Sequence, residues 1–111
     1  MPIRRSIILT CFLVVSLSGC VSDRNVGGEC QNDSDCADRC LTEFPRGMCT
    51  TSCQDDNDCP GDTVCADTEG GVCLFPCTSS QECTDRLGTG YACDDETSFD
   101  GRELRVCEDS G

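Results

Sequence analysis

Fourteen cysteines in 111 residues are the feature that most restricts how this chain can fold. Twelve of them form three groups of four, and in each group five residues separate the first two cysteines. Such self-similarity is typical of tandem modules. The predicted units span residues 30–49, 53–73 and 77–107, and three residues separate each unit from the next. Their cysteines are Cys30, Cys36, Cys40 and Cys49; Cys53, Cys59, Cys65 and Cys73; and Cys77, Cys83, Cys93 and Cys107.

The rest of the chain supplies few residues for a hydrophobic core, with no tryptophan and a single tyrosine. A small domain of this kind cannot offset its chain entropy by burial alone, so it needs covalent cross-links. A disulfide typically contributes about 2–4 kcal/mol to stability. The composition therefore predicts a small disulfide-rich fold.

Each unit contains the pattern of a helical turn followed by a short hairpin. A polar residue after the first cysteine has an acidic residue three places on, as in a capping box. These pairs are Asn32 with Asp35, Asp55 with Asp58, and Ser79 with Glu82. The third and fourth cysteines lie in short extended segments, and the third unit is predicted to have the longest loop, from Asp94 to Glu103. The apolar residues before the fourth cysteines, Met48, Val72 and Val106, are expected to pack against the disulfides.

Three modules, each a helical turn plus a short β-hairpin, are thus predicted, with little regular secondary structure. We expect six disulfides, all within units. Three pairings are open to each unit. Pairing of the first cysteine with the third and the second with the fourth is favoured, because it joins the helical turn to both hairpin strands.

The spacing resembles the N-terminal cysteine-rich region of dickkopf proteins and, more loosely, epidermal-growth-factor-like modules. The shared features are Cys-x5-Cys with an acid before the second cysteine, a Gly-rich turn and abutting small units, over residues 30–107. What the resemblance implies is a secreted interaction module. A likeness of fold does not assign a function.

The first residues form an export signal. Arg4 and Arg5 precede an apolar segment, Ile7–Leu17, which is too short for a permanent membrane span. Leu17-Ser18-Gly19-Cys20 resembles the lipobox of bacterial lipoproteins. The resemblance implies that residues 1–19 are removed, that Cys20 is acylated, and that residues 20–29 form a tether. Val21 follows Cys20 where an inner-membrane retention signal has Asp, which favours the outer membrane.

The mature chain is strongly acidic. After residue 20 it has 21 acidic residues against six arginines, and lysine is absent, so side-chain counting gives −15. Nucleic acid is not an expected partner, because phosphate binding requires clustered basic residues. A protein or extracellular surface with positive charge is favoured. Calcium is a weaker candidate ligand at the Asp-rich segments 54–58 and 94–101, since neither has the spacing of an EF-hand.

Neither an enzyme nor a metal–thiolate protein is predicted. The absence of histidine and lysine removes Ser-His-Asp, Cys-His and lysine-based catalysis. Zinc modules usually contain Cys-x2-Cys pairs or histidine ligands, which this chain lacks. No cofactor is therefore expected.

Two loops are candidate partner-binding sites. The loop of the third unit contains Asp94, Asp95, Glu96, Phe99 and Asp100. Between Cys40 and Cys49, Phe44 and Arg46 belong to a predicted exposed loop, whose Pro-Arg-Gly could enter a trypsin-like specificity pocket. The sequence thus favours a lipid-anchored, non-enzymatic binding protein of the cell envelope. A small protease inhibitor and a structural envelope component are the alternatives.

Overall fold

Three β-hairpins form the framework of the protein in the computed structural model, which describes residues 25–111. The strands are β1 (Arg39–Leu41) and β2 (Met48–Thr50), β3 (Val64–Ala66) and β4 (Val72–Leu74), and β5 (Tyr91–Thr97) and β6 (Glu103–Asp109). Each hairpin is antiparallel, and the third and fourth cysteines of its unit face each other across the strands. The predicted small disulfide-rich fold with little regular secondary structure is confirmed.

A helical segment precedes each hairpin. In the first two units it is a 3-10 turn, Asp33–Asp35 or Asp56–Asp58. Both turns have the predicted capping box, in which the side chain of Asn32 or Asp55 accepts a backbone N–H and the acid three residues on accepts another. These turns end at the second cysteine.

The third unit differs, because it contains a true α-helix, α1 (Ser80–Leu87). Ser79 caps this helix, while the Glu82 carboxylate accepts the backbone N–H of Thr78 at 2.7 Å. The prediction of a single turn between the first two cysteines is wrong for this unit. The residues after Cys83 allow the helix to continue, whereas Pro60 and Gly61 follow the second cysteine of the second unit.

Six disulfides cross-link the described residues, all within units. They are Cys30–Cys40, Cys36–Cys49, Cys53–Cys65, Cys59–Cys73, Cys77–Cys93 and Cys83–Cys107. The first cysteine pairs with the third and the second with the fourth in every unit, which is the pairing favoured from the sequence. Each helical segment is therefore joined covalently to the hairpin beside it.

A hydrogen bond, which was not predicted, also joins each helical segment to its hairpin. The residue three places after the first cysteine accepts the backbone N–H of the third cysteine. The bonds are Cys40 to Asp33 at 2.9 Å, Cys65 to Asp56 at 2.9 Å, and Cys93 to Ser80 at 3.0 Å. The sequence signal for this bond is that Asp33, Asp56 and Ser80, each with a side-chain oxygen, occupy the same position in the three units.

The short segments between units pair with the hairpins through isolated β-bridges, Ser52 with Val72 and Pro76 with Val106. Thr51 accepts the N–H of Cys73 at 3.0 Å, and Phe75 accepts the N–H of Cys107 at 2.9 Å. Gly27 and Gly28 pair in the same way with Cys49, at 2.9 and 2.8 Å. Each unit is therefore joined by backbone hydrogen bonds to the segment that leads into it, so the three units are not separated by free linkers.

One apolar cluster runs through all three units. Met48, Val72 and Val106, the residues before the fourth cysteines, are each at most 1% exposed and belong to it. The four cysteines of the first unit form a second buried cluster. Among residues 25–111, no helix has both the length and the apolar character needed to cross a membrane.

Candidate functional site

Among residues 25–111, Phe99 is the one large apolar residue that is exposed, with 48% of its surface accessible. It lies in the loop that joins β5 to β6, which covers residues 98–102. The loop is shorter than the predicted Asp94–Glu103, because both strands continue past the cysteines. Phe99 and Asp100 are therefore at the tip of the hairpin.

Hydrogen bonds within the tip hold its conformation. The buried Ser98 hydroxyl bonds to the Asp100 carboxylate and also accepts the N–H of Arg102 at 3.0 Å. The Ser98 bond is the main reason that the pKa of Asp100 is lowered, and Arg102 lowers it further. Phe99 is thus presented by an ordered turn.

The tip contacts the second unit, which the sequence did not predict. Arg102 bonds to Asp56 at 3.1 Å and to Asp100 at 3.3 Å, and both acids raise its pKa. The N–H of Asp67 donates to the carbonyl of Thr97 at 2.7 Å. A groove of about 220 Å³ remains between the units beside Phe99.

Gly71 brings the second unit close to Phe99. A Cβ at position 71 would lie 2.4 Å from the carbonyl oxygen of Cys53 and 2.8 Å from the Phe99 ring. The backbone at Gly71 has φ of +103°, and at the neighbouring Gly70 it has φ of +84°. At Gly70, a Cβ would have no neighbour within 4 Å.

This difference makes Gly70→Ala a matched control for Gly71→Ala. We expect Gly70→Ala to cost about 1–2 kcal/mol, from the left-handed backbone alone. Gly71→Ala should cost roughly 2–4 kcal/mol more, because the backbone must move away from Cys53 and Phe99. Urea unfolding followed by far-ultraviolet circular dichroism measures both. Equal losses would show that the contact of Gly71 with Cys53 and Phe99 is unimportant.

Three of the four acidic residues predicted for this loop, Asp94, Asp95 and Glu96, lie on β5 instead. Asp95 faces Arg105 on β6, with 3.4 Å between carboxylate and guanidinium. Asp94 and Glu96 are on the opposite face, which they share with Val106 and Glu108. Pairing between β5 and β6 continues past the cysteines as far as Thr97 and Glu103. Because successive side chains of a strand point to opposite faces, the acidic side chains are divided between the two faces of the hairpin.

Glu108 is half-buried on that face. Burial raises its pKa to about 8, and a hydrogen bond with Glu96 and the charges of Glu96, Asp94 and Glu69 contribute. Glu69 belongs to the turn between β3 and β4. A carboxylate of the second unit therefore contributes to the raised pKa of a carboxyl group in the third unit.

The protein should lose stability as pH rises from about 5 to about 9. The folded state holds the Glu108 proton more tightly than the unfolded chain does, so this contribution is complete below the ordinary pKa of 4.5 and is lost as pH rises through about 8. Glu108→Gln should flatten the pH dependence of Tm and be the more stable protein near pH 9. Glu103→Gln, an exposed carboxylate on the same strand, is the control. Parallel Tm curves for all three proteins would contradict this role.

The loop between Cys40 and Cys49, the other candidate site, also contacts another unit. Phe44 is buried, and its ring packs edge-on against Tyr91 of the third unit at 5.9 Å. The Tyr91 hydroxyl donates to the carbonyl of Pro45 at 3.1 Å, and burial raises its pKa to about 12. Phe44 is therefore a packing residue between the first and third units.

Arg46 is also bound to the third unit. It donates to the carbonyls of Leu87 and Thr89, at 3.1 and 2.8 Å, at the end of α1. A Cβ on Gly88 would lie 2.7 Å from its guanidinium, so a side chain at this position would displace the end of Arg46. The backbone at Arg46 is left-handed, with φ of 61°. The predicted exposed loop is thus a contact between units, and its arginine is not presented in an extended segment.

Each of the five arginines in residues 25–111 bonds to a backbone carbonyl or a carboxylate. For four of them, the partner belongs to another unit. The contacts are Arg39 to the carbonyl of Glu69 (3.0 Å), Arg46 to those of Leu87 and Thr89, Arg86 to Asp62 (3.5 Å), Arg102 to Asp56, and Arg105 to Asp95. Five of the twenty acidic side chains in residues 25–111 are in salt bridges. The other fifteen have no salt bridge within these residues.

The proposed metal ligands have other roles in the described residues. Asp55, Asp56 and Asp58, considered for calcium, each accept a backbone N–H, at 2.9 Å in every case. Three cysteine sulfurs of each unit lie within 4.8 Å of one another. All twelve module cysteines are in disulfides, whereas a metal site uses free thiolates.

Comparison with known proteins found no match for this chain, whether among protein-family models, curated proteins or solved structures.

Proposed function

We propose that this is a lipid-anchored protein of the bacterial cell envelope that acts, without catalysis, by binding a basic protein or surface. The anchor is inferred from the lipobox-like Leu17-Ser18-Gly19-Cys20 after a basic and apolar leader. These residues lie outside the described part of the chain. With two or more acyl chains, the attachment would be stable. The outer membrane is the favoured location.

One observation supports the binding role above the others. Four of the five described arginines hold units together, and fifteen acidic side chains form no salt bridge within residues 25–111. Complementary charge is how protein surfaces select partners and accelerate association. The acidic surface therefore suits a cationic partner, and Phe99 offers an aromatic contact of the kind that often dominates binding energy.

The Phe99 surface, defined as Phe99, Asp100 and the groove beside Gln54 and Asp55, is the binding site that we favour. It is formed by two units whose relative position is set by Arg102 and the Thr97–Asp67 bond. The inhibitor alternative has less support, because Arg46 is bound to carbonyls of the third unit. No contact specifically favours a structural envelope role.

A photo-reactive phenylalanine analogue at position 99 tests this proposal in living cells. The matched control carries the analogue at Glu43, another exposed position. We expect position 99 to cross-link to a discrete protein with a basic surface, and position 43 not to do so. With that protein purified, Phe99→Ala should weaken binding about tenfold or more. Binding unchanged by Phe99→Ala, or equal cross-linking from both positions, would exclude this surface.

A further inference from the structure

We propose that the surface around Asn25 rests against the lipid headgroups of the membrane that carries the Cys20 anchor. This inference rests on the lipid anchoring proposed above. It assigns a second surface, separate from the one around Phe99, and its partner is the bilayer itself.

The folded body begins close to the anchor. Val26 is only 7% exposed and belongs to the main apolar cluster. Gly27 and Gly28 bond to both backbone groups of Cys49, and the Thr51 hydroxyl donates to the carbonyl of Asn25 at 3.3 Å. Residues 25–28, which the sequence placed in a tether, are thus built into the first two units.

Only four residues, Val21–Arg24, separate Cys20 from Asn25. The five Cα-to-Cα steps between these two positions reach at most about 18 Å, even in a fully extended chain. A lipidated Cys20 would lie at the membrane surface. The body therefore cannot move far from the headgroups, and the surface that surrounds Asn25 is the one that faces them.

The charge of this surface supports the assignment. A groove of about 280 Å³ lies beside Asn25, between the turn at residues 60–63, Phe75 and Arg86. Arg86 stacks on Phe75, with 4.4 Å from guanidinium to ring centre, and pairs with Asp62 at 3.5 Å. The groove is thus electrically balanced, and Asp23 and Arg24, which precede Asn25, add no net charge. The rest of the body carries the unpaired acids, which anionic headgroups would repel over roughly a Debye length, about 8 Å at physiological salt.

Arg86 gives the headgroups a specific contact. Its side chain is 44% exposed although it is stacked on Phe75. A guanidinium in this position can donate hydrogen bonds to a lipid phosphate. We therefore assign the groove to phospholipid headgroups.

Tryptophan quenching tests the assignment, because the chain has no tryptophan of its own. Pro60→Trp places a reporter in the groove, and the full lipidated protein is reconstituted in vesicles of phosphatidylethanolamine and phosphatidylglycerol with nitroxide-labelled headgroups. The control is the same variant with about 20 Gly/Ser residues between Arg24 and Asn25, a spacer that adds roughly 25 Å. Quenching should be at least about twofold stronger without the spacer.

Hydrogen exchange provides a readout that needs no substitution. On vesicles, the amides of residues 61–63 should exchange more slowly in the wild-type protein than in the protein with the spacer. Equal quenching together with equal exchange would overturn the headgroup surface while leaving the anchor intact. Failure of the wild-type protein to enter vesicles at all would overturn both proposals.

Discussion

Cys20→Ser is expected to move the protein out of the membrane fraction, or to leave its leader uncut. The serine hydroxyl replaces the thiol that the lipobox resemblance identifies as the acylated group. Acyl chains contribute about 0.8 kcal/mol for each buried CH₂, and a single chain already binds only marginally. Loss of the acylated side chain should therefore reduce the membrane-bound fraction to near zero in any correctly processed product.

Cys11→Ser is the matched control, because Cys11 lies inside the apolar leader that the proposed processing would remove. It should fractionate as the wild type does. Both variants can be compared by membrane flotation and immunoblotting of the mature band. A Cys20→Ser protein of mature size that still floats with the membrane would show that the anchor is elsewhere.

Removal of the Cys83–Cys107 disulfide should destabilise the protein more than removal of the Cys30–Cys40 disulfide. This bond closes a loop of 24 residues, and its cysteines are at most 1% exposed. Loop-closure entropy alone predicts a loss of about 3.5 kcal/mol for Cys83→Ala with Cys107→Ala, against about 2.7 kcal/mol for the Cys30–Cys40 pair with its 10-residue separation. Urea unfolding of both double variants measures the difference.

The same variant should loosen the contact between the first and third units. Cys83 lies in α1, and the carbonyl of Leu87 at the end of this helix accepts from Arg46. Trypsin should therefore cleave after Arg46 faster in the Cys83–Cys107 variant than in the Cys30–Cys40 variant. Equal stability losses and equal cleavage rates would contradict the proposal that the Cys83–Cys107 disulfide supports the contact between the first and third units.

The fold was predictable because cysteine spacing and hairpin patterns are local signals. Val64–Ala66 and Val72–Leu74 are strands that contain the third and fourth cysteines of their unit, as predicted, since β-branched residues and a Gly-rich turn define them. The disulfide pairing that was favoured among the three open to each unit is the one observed. The length of α1 was not predicted, because the capping pattern at Ser79 shows where a helix begins and not where it ends.

Contacts between units account for the other differences. Phe44 was predicted to be exposed but is buried against Tyr91 of the third unit. Arg46 is exposed, as predicted, but its guanidinium is bound to a carbonyl at the end of α1. A sequence with three similar modules does not indicate which surfaces meet. Gly88 was the available hint, because a glycine can mark a close approach of another segment.

The mass of the intact protein extracted from membranes reports both the lipid anchor and the disulfides. We expect a chain that begins at Cys20, carries acyl chains there, and has lost twelve hydrogens through six disulfides. Alkylation without reduction should add nothing to this mass. A mature chain without acyl groups, or one that takes up alkylating reagent at module cysteines, would contradict the lipid-anchored, disulfide-bonded protein described above.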